Sequence, residues 1–169
     1  DLFNFGTIKR LATNSRNLDS LLLITTKNFN SINAYLQEQQ RSNLSVLLLT
    51  GGWVEALHIL CQVSEKNPNN QELIERIGEQ KITLESIMLL LSFYSDSDPN
   101  IRELTEKMTA LQTIFENIQI TQTYAESTLE EVNEIVTITN KSTSSINITD
   151  EDVKKIAATT AQIRDYIVN

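Results

Sequence analysis

Apolar residues recur at intervals of three and four along most of this chain, the spacing of one face of an α-helix. The clearest run follows Pro68, where Asn69 and Glu72 form an N-cap signal. A helix is therefore predicted from about residue 70 to a point near Ser95. Its apolar positions are Leu73, Ile77, Leu84, Ile87, Met88, Leu91 and Tyr94.

The next helix is predicted to begin after Asp98, a favourable N-cap followed by Pro99 at the first helical position. The same alternation continues to residue 136, which predicts one long helix or two stacked helices over 98–138. A bend or break is expected at 121–123. The apolar positions are Ile101, Leu104, Met108, Leu111, Phe115, Ile118, Ala125, Leu129, Val132 and Val136.

A polar stretch rich in serine, threonine and asparagine, residues 139–149, is predicted to be a loop. Thr149 and Asp152 then form a capping box that opens a last helix. Its apolar side is Val153, Ile156, Thr160, Ile163 and Ile167.

The first forty residues predict one kinked helix or two consecutive helices, with a break at 13–17 and a turn near 39–43. Their apolar positions are Ile8, Leu11, Leu18, Leu22, Phe29, Ile32 and Leu36.

Residues 44–63 differ because they are apolar almost all the way round, with Glu55 as the only formal charge. Twenty such residues could span a bilayer. A carboxylate at mid-bilayer costs about 2.5–3.5 kcal/mol, however, and the other helices could enclose the segment instead. The prediction is an all-α fold: a single domain over 1–169, a bundle of five or six helices around 44–63.

Composition narrows the function classes. The 169 residues contain only four glycines and two prolines, which suits long helices and leaves little material for a nucleotide-binding loop. The net charge of −8 argues against nucleic acid as a partner. The sequence has no G-x-S-x-G or Cys-x-x-Cys motif, so no catalytic residue and no cofactor are predicted.

Gly51, Gly52 and Trp53 lie in the middle of the predicted central helix, where each glycine costs about 1 kcal/mol relative to alanine. The structural interpretation is a close helix–helix approach or a kink. The functional interpretation is a ligand pocket with Trp53 as its floor.

Glu55 and His58 have the Glu-x-x-His spacing of di-iron bundles. With one histidine in the chain, a self-contained di-iron site is excluded, and no metal site is predicted. A lone haem ligand remains an alternative. Glu55 is expected to pair with Lys81 or Arg76, because a buried carboxylate needs a partner.

Two further segments are candidate sites. Residues 77–81 place a glycine and three polar residues inside a good helix, and Gln80 and Lys81 join the candidate ligand-binding set for that reason. The acidic residues further along the chain would form a helical ridge, which is either a solvated face or a surface for a basic partner. They are Glu126, Glu130, Glu131 and Glu134.

The segments Leu49–Leu57 and Ile77–Lys81 resemble a group of exported, lipoprotein-like, all-helical proteins of Bacteroidetes-type bacteria. The resemblance covers about residues 30–120. It implies a helical fold and a periplasmic or membrane-anchored setting, with a possible tether upstream of Asp1, and it implies no activity.

Three functions are therefore open. The first is a non-enzymatic exported module that binds a protein or a small ligand. The second is a sensory-type four-helix ligand-binding domain of a membrane receptor. The third is a metal- or haem-binding bundle that uses Glu55 and His58.

Overall fold

A computed structural model describes Gly6, Lys9 and residues 18–123, 128–132, 135–139 and 143–169. Five complete helices lie within these residues, and the fold is an all-α helical bundle, as predicted. The helices are α1 Leu18–Glu38, α2 Ser42–Lys66, α3 Gln71–Ser92, α4 Pro99–Glu116 and α5 Asp150–Val168.

The chain divides into two compact units, residues 1–49 and 50–169, with the boundary inside α2. In the first unit a short turn over 39–41 separates α1 from α2. Gln40 adopts a left-handed φ of 57°, and the Arg41 amide donates to the Leu36 carbonyl at 2.7 Å. The turn predicted near 39–43 is thus present without glycine or proline. The predicted break at 13–17, with Ile8 and Leu11, lies outside the described residues.

In the second unit α3 packs on α4, and α4 packs on α5. Their buried side chains follow the three–four spacing of the sequence, so burial of the apolar stripes supplies the main stabilisation of the bundle. The buried residues of these helices include Ile77, Leu84, Leu91, Ile101, Leu104, Met108, Leu111, Phe115, Ile156 and Ile163.

Helix caps occur close to their predicted positions. The Asp98 side chain caps α4 through the amides of Asn100 and Ile101, and Thr149 with Asp152 forms the capping box of α5. At α3 the N-cap is Asn70, one residue later than the predicted Asn69, and its side chain accepts from the Leu73 amide. This helix ends at Ser92, three residues before the expected stop.

The prediction of one long helix or two stacked helices over 98–138 is wrong beyond residue 116. Helix α4 ends at Glu116, and strands follow where helix and loop were expected. They are β1 Gln119–Thr123, β2 Thr128–Val132, β3 Ile135–Thr139 and β4 Thr143–Asn147. Strand β1 pairs antiparallel with β4, from Gln119 opposite Asn147 to Thr123 opposite Thr143; β2 pairs antiparallel with β3. The segment 139–149, which was predicted to be a loop, therefore contains a paired strand.

The strands form where β-branched residues are dense. All five residues of β3 are isoleucine, valine or threonine, and their χ1 restriction favours extended backbone over helix. Side chains at the base of the β1–β4 ladder pack on the bundle: Ile146 contacts α3 at Gly78.

Helix α2 contains the apolar segment 44–63. By length and composition it could cross a membrane, and 33% of its most apolar window is buried in the protein. The enclosure expected from the sequence thus extends over one face of the helix, and the opposite face is exposed.

Candidate functional site

Helix α2 presents two different apolar faces within the second unit. The buried face has residues at alternating intervals of four and three, namely Thr50, Val54, Leu57, Cys61 and Ser64. About half a turn away lies the outer face of α2, which we define as Gly52, Ala56, Ile59 and Val63. All four are exposed, with 51% of Ile59 and 41% of Val63 accessible. Because α2 is apolar on both sides and only one side is buried, the outer face is an apolar surface exposed to solvent.

The paired glycines do not mark a close helix contact. A Cβ at Gly51 would lie 4.0 Å from Ile167, which is an ordinary contact, and a Cβ at Gly52 would meet none of the described residues within 4 Å. Helix α2 runs through both without interruption. The close-approach interpretation is therefore wrong here, and Gly52 leaves a shallow gap in the outer face.

Trp53 links α2 to α3. Its indole Nε1 donates a hydrogen bond to Gln80 Oε1 at 3.0 Å, in a partly buried position. The Gln80 amide nitrogen in turn donates to the Arg76 carbonyl at 3.2 Å within α3. This arrangement fixes the Gln80 side chain and gives the indole N–H the partner it needs when partly buried. Trp53 thus acts as a connection between helices.

Glu55 pairs with Arg164 of α5, and not with Lys81 or Arg76. The Arg164 Nε–Glu55 Oε2 distance is 2.5 Å, and the side chains are 33% and 45% exposed. The hydrogen bond from Arg164 to Glu55 raises the pKa of the guanidinium above its ordinary value, with the carboxylate charge as a further cause. Arg76 instead pairs with Glu79 at 2.8 Å on its own helix.

His58 contacts its own helix, with its Nε2 3.0 Å from the Gln62 amide nitrogen. Among the described residues no group of three or more His, Cys, Asp or Glu side chains could hold a metal ion. Since the Glu55 carboxylate is bonded to Arg164, the Glu55–His58 pair has no geometry here that favours metal chemistry.

Residues 77–81 of α3 contact the start of the antiparallel strands β1 to β4, which we call together the β-ribbon. A Cβ at the buried Gly78 would lie 2.6 Å from Ile146 Cγ2, so only glycine leaves room for that side chain. Lys81 donates to the carbonyl of Ile118 at 2.7 Å and of Glu116 at 3.4 Å. These carbonyls lie at the C-terminal end of α4, where a cation is favourable. The conflict between propensity and pattern in this segment has a structural cause.

The part of the predicted acidic ridge that the structure describes lies in a strand and not in a helix. Glu130 and Glu131 lie in strand β2, paired with Thr137 and Val136 of β3. Glu126 and Glu134 lie outside the described residues. The i, i+4 spacing on which the ridge depended does not apply to a strand.

The structure thus brings part of the candidate set together. The segments Thr50–Trp53 and Ile77–Lys81 meet through the hydrogen bond between Trp53 and Gln80. Lys81 instead donates a hydrogen bond to the carbonyl that precedes strand β1. Arg164 was missed from the sequence because it lies 109 residues from Glu55 and no local signal marks it. No family model, curated protein or solved structure matches this chain. Function is therefore inferred from the geometry of the described residues.

Proposed function

We propose that this protein is a non-enzymatic, exported binding module that binds an amphipathic helix of a partner protein on the outer face of α2. The observation that supports this function is the exposed, uncharged row Gly52, Ala56, Ile59 and Val63. Its members are spaced by four, three and four residues. That is the spacing by which one helix packs into another.

The sizes of these side chains favour a helical partner. Gly52 and Ala56 leave low points on the helix surface, while Ile59 and Val63 project from it, so knobs of a second helix have holes to enter. Small residues allow close approach of the two backbones. An extended peptide would need free strand edges, which α2 does not offer.

Burial of the outer face would supply the free energy of binding. Covering the exposed parts of Ile59 and Val63 contributes about 1 kcal/mol each. The flanking contacts Trp53–Gln80 and Glu55–Arg164 hold α2 in place, so little ordering of the surface is required on binding.

The exported setting is part of the proposal and is supported by the resemblance of Leu49–Leu57 and Ile77–Lys81 to exported helical proteins. The coding sequence upstream of Asp1 tests it. We expect a signal peptide or a lipid-anchor motif there, and a cytoplasmic domain encoded directly upstream would contradict it.

The binding function is tested with a synthetic amphipathic helix whose leucines alternate at intervals of three and four. A second peptide of identical composition, with leucines at every second position, serves as the ligand control. We expect saturable binding of the first peptide alone. The substitution Ile59→Glu should weaken it by at least about tenfold, because a charge would be buried at the centre of the contact.

Ile82 provides a matched control, since it is a helical isoleucine of α3 with 52% exposure against 51% for Ile59. Ile82→Glu should leave binding of the peptide unchanged. Equal losses for both variants, or equal binding of both peptides, would show non-specific adhesion and overturn the proposal.

A further inference from the structure

A cavity of about 250 Å³ lies at the end of the bundle where α2 finishes and where α3 and α5 begin. Its lining comes from the last turns of α2, the α2–α3 connection, α3 and the first turn of α5. The lining residues are Ser64, Glu65, Pro68, Ile74, Asp150, Val153 and Lys154. The cavity is separate from the outer face of α2, and its binding role does not depend on the function proposed for that face.

The cavity has an apolar floor. Ile74 and Val153 are each 8% exposed, and Pro68 adds its ring to the same lining. Ser64 is 3% exposed and is the buried polar group of the wall. A short aliphatic chain would replace water against these carbons, which is favourable.

The rim of the cavity carries both signs of charge. Glu65 and Asp150 supply two carboxylates, and Lys154 supplies an ammonium group. Asp150, Val153 and Lys154 share one face of α5, because residues three and four apart are neighbours on a helix. Within the described part of the chain, none of the three charged groups takes part in an ion pair. All three are therefore free to interact with a ligand.

We propose that this cavity binds a small zwitterion with an aliphatic body, namely a free aliphatic α-amino acid. The ammonium group of the ligand would face Glu65 and Asp150, and its carboxylate would face Lys154. The side chain would enter between Ile74 and Val153. A volume of 250 Å³ is below the roughly 300–1,000 Å³ of sites for drug-sized ligands, so a single amino acid is the appropriate size.

The test uses calorimetric titration with L-leucine, isoamylamine and 4-methylpentanoate. The last two keep the aliphatic chain and remove the carboxylate or the ammonium group of leucine. We expect L-leucine to bind at least about threefold more tightly than either, because each lost ion pair at a half-exposed rim weakens binding by that order.

Variants then assign the binding to this cavity. Lys154→Gln should weaken binding of L-leucine about threefold and should not weaken binding of isoamylamine, since the amine lacks the carboxylate that faces Lys154. The matched control is Lys155→Gln, because Lys155 is the next residue of α5, lies outside the cavity and pairs with Glu151 at 2.7 Å. Amide chemical shifts of residues 64–67, 74 and 150–154 should move on titration.

Four results would overturn the proposal, and the first three concern affinity. These are an absence of saturable binding of L-leucine, equal affinities for the three ligands, and equal effects of Lys154→Gln and Lys155→Gln. Binding of L-leucine accompanied by shift changes only outside the named residues would locate the ligand elsewhere and would equally overturn it. None of these outcomes depends on the amphipathic-peptide experiment, so the two proposals fail or succeed separately.

Discussion

The indole N–H of Trp53 in α2 and the side-chain oxygen of Gln80 in α3 lie 3.0 Å apart and form a partly buried hydrogen bond. The bond joins two helices at the two local segments that stand out in the sequence. Gln80 is held in turn by the carbonyl of Arg76. The position of α2 beside α3 therefore depends on a polar contact as well as on apolar packing.

Loss of this hydrogen bond should destabilise the fold, and the effects of removing its two partners should not be additive. We expect Trp53→Phe and Gln80→Met each to lower the free energy of unfolding, with a coupling energy between them of about 0.5–1.5 kcal/mol. Urea unfolding of the wild type, both single variants and the double variant measures this quantity. Gln71→Met is the control, because Gln71 is exposed and its side chain donates a hydrogen bond to Glu75 of its own helix at 3.3 Å. Additive effects of Trp53→Phe and Gln80→Met would contradict the assignment.

The helices were predictable because their apolar spacing and their caps agree. Asp98 with Pro99 and Thr149 with Asp152 are local signals whose effect does not depend on distant residues, and both act as predicted. The β-ribbon was not predicted because a region rich in isoleucine, valine and threonine places apolar residues at intervals of three and four even when it is not helical. The run Ile135–Thr139 consists entirely of β-branched residues, and their high β propensity is the feature of the sequence that indicates a strand here.

The candidate site was predictable only in part. Gly52 and Gln80 were selected because they conflict with a plain helical pattern, and Trp53 because it adjoins the glycines; Trp53 and Gln80 do meet. Their roles were not predictable, since the partner of each side chain comes from another helix. Arg164 is the clearest case, because only folding brings it to Glu55.

The glycines of the two segments should respond to alanine in opposite directions. Gly52→Ala should raise the free energy of unfolding by up to about 1 kcal/mol, since alanine favours helix and its Cβ would meet no atom within 4 Å in the part of the chain that the structure describes. Gly78→Ala should lower it by about 1–3 kcal/mol, because the new Cβ would lie 2.6 Å from Ile146 Cγ2. Chemical denaturation of both variants provides the comparison.

A second substitution checks the cause of the Gly78 effect. Ile146→Ala removes the Cγ2 atom that the new methyl group would meet, so Gly78→Ala should cost less in that background than in the wild type. An equal cost in both backgrounds would place the strain elsewhere. Stabilisation by Gly78→Ala would show that the ribbon does not pack on α3 at this point.

The capping box of α5 should make stability depend on pH in acid. Thr149 donates its hydroxyl to Asp152 Oδ2 at 2.6 Å, and this bond is the main cause that lowers the pKa of Asp152 below its ordinary value of 3.8. A lowered pKa in the folded state stabilises the protein above pH 3.8, and that contribution is lost as the pH falls through the folded-state pKa.

Thr149→Ala should therefore cost about 1 kcal/mol at neutral pH, and the cost should shrink as the pH falls through this range. Thermal unfolding of the wild type and the variant between neutral and acidic pH measures the difference. Asp96→Asn serves as a control, because Asp96 is exposed and its side chain forms no ion pair or hydrogen bond among the described residues. A cost of Thr149→Ala that is independent of pH would exclude Asp152 as its partner.

Thiol chemistry can establish whether the outer face of α2 is open in the free protein. Cys61 lies on the buried face, is 2% exposed and has its pKa raised to about 12, chiefly by burial. Because the thiolate is the reacting species, the wild-type protein should resist maleimide near neutral pH. Ile59→Cys places a second thiol two residues away on the exposed face and should react rapidly.

The same labelling experiment is then repeated in the presence of the amphipathic peptide. Saturating peptide should slow the labelling of Ile59→Cys by at least about tenfold, while the matched variant Ile82→Cys should label at one rate with and without it. Slow labelling of Ile59→Cys in the free protein would mean that the outer face is already covered. The proposed function requires an accessible face, so that result would remove its basis even if the peptide bound elsewhere.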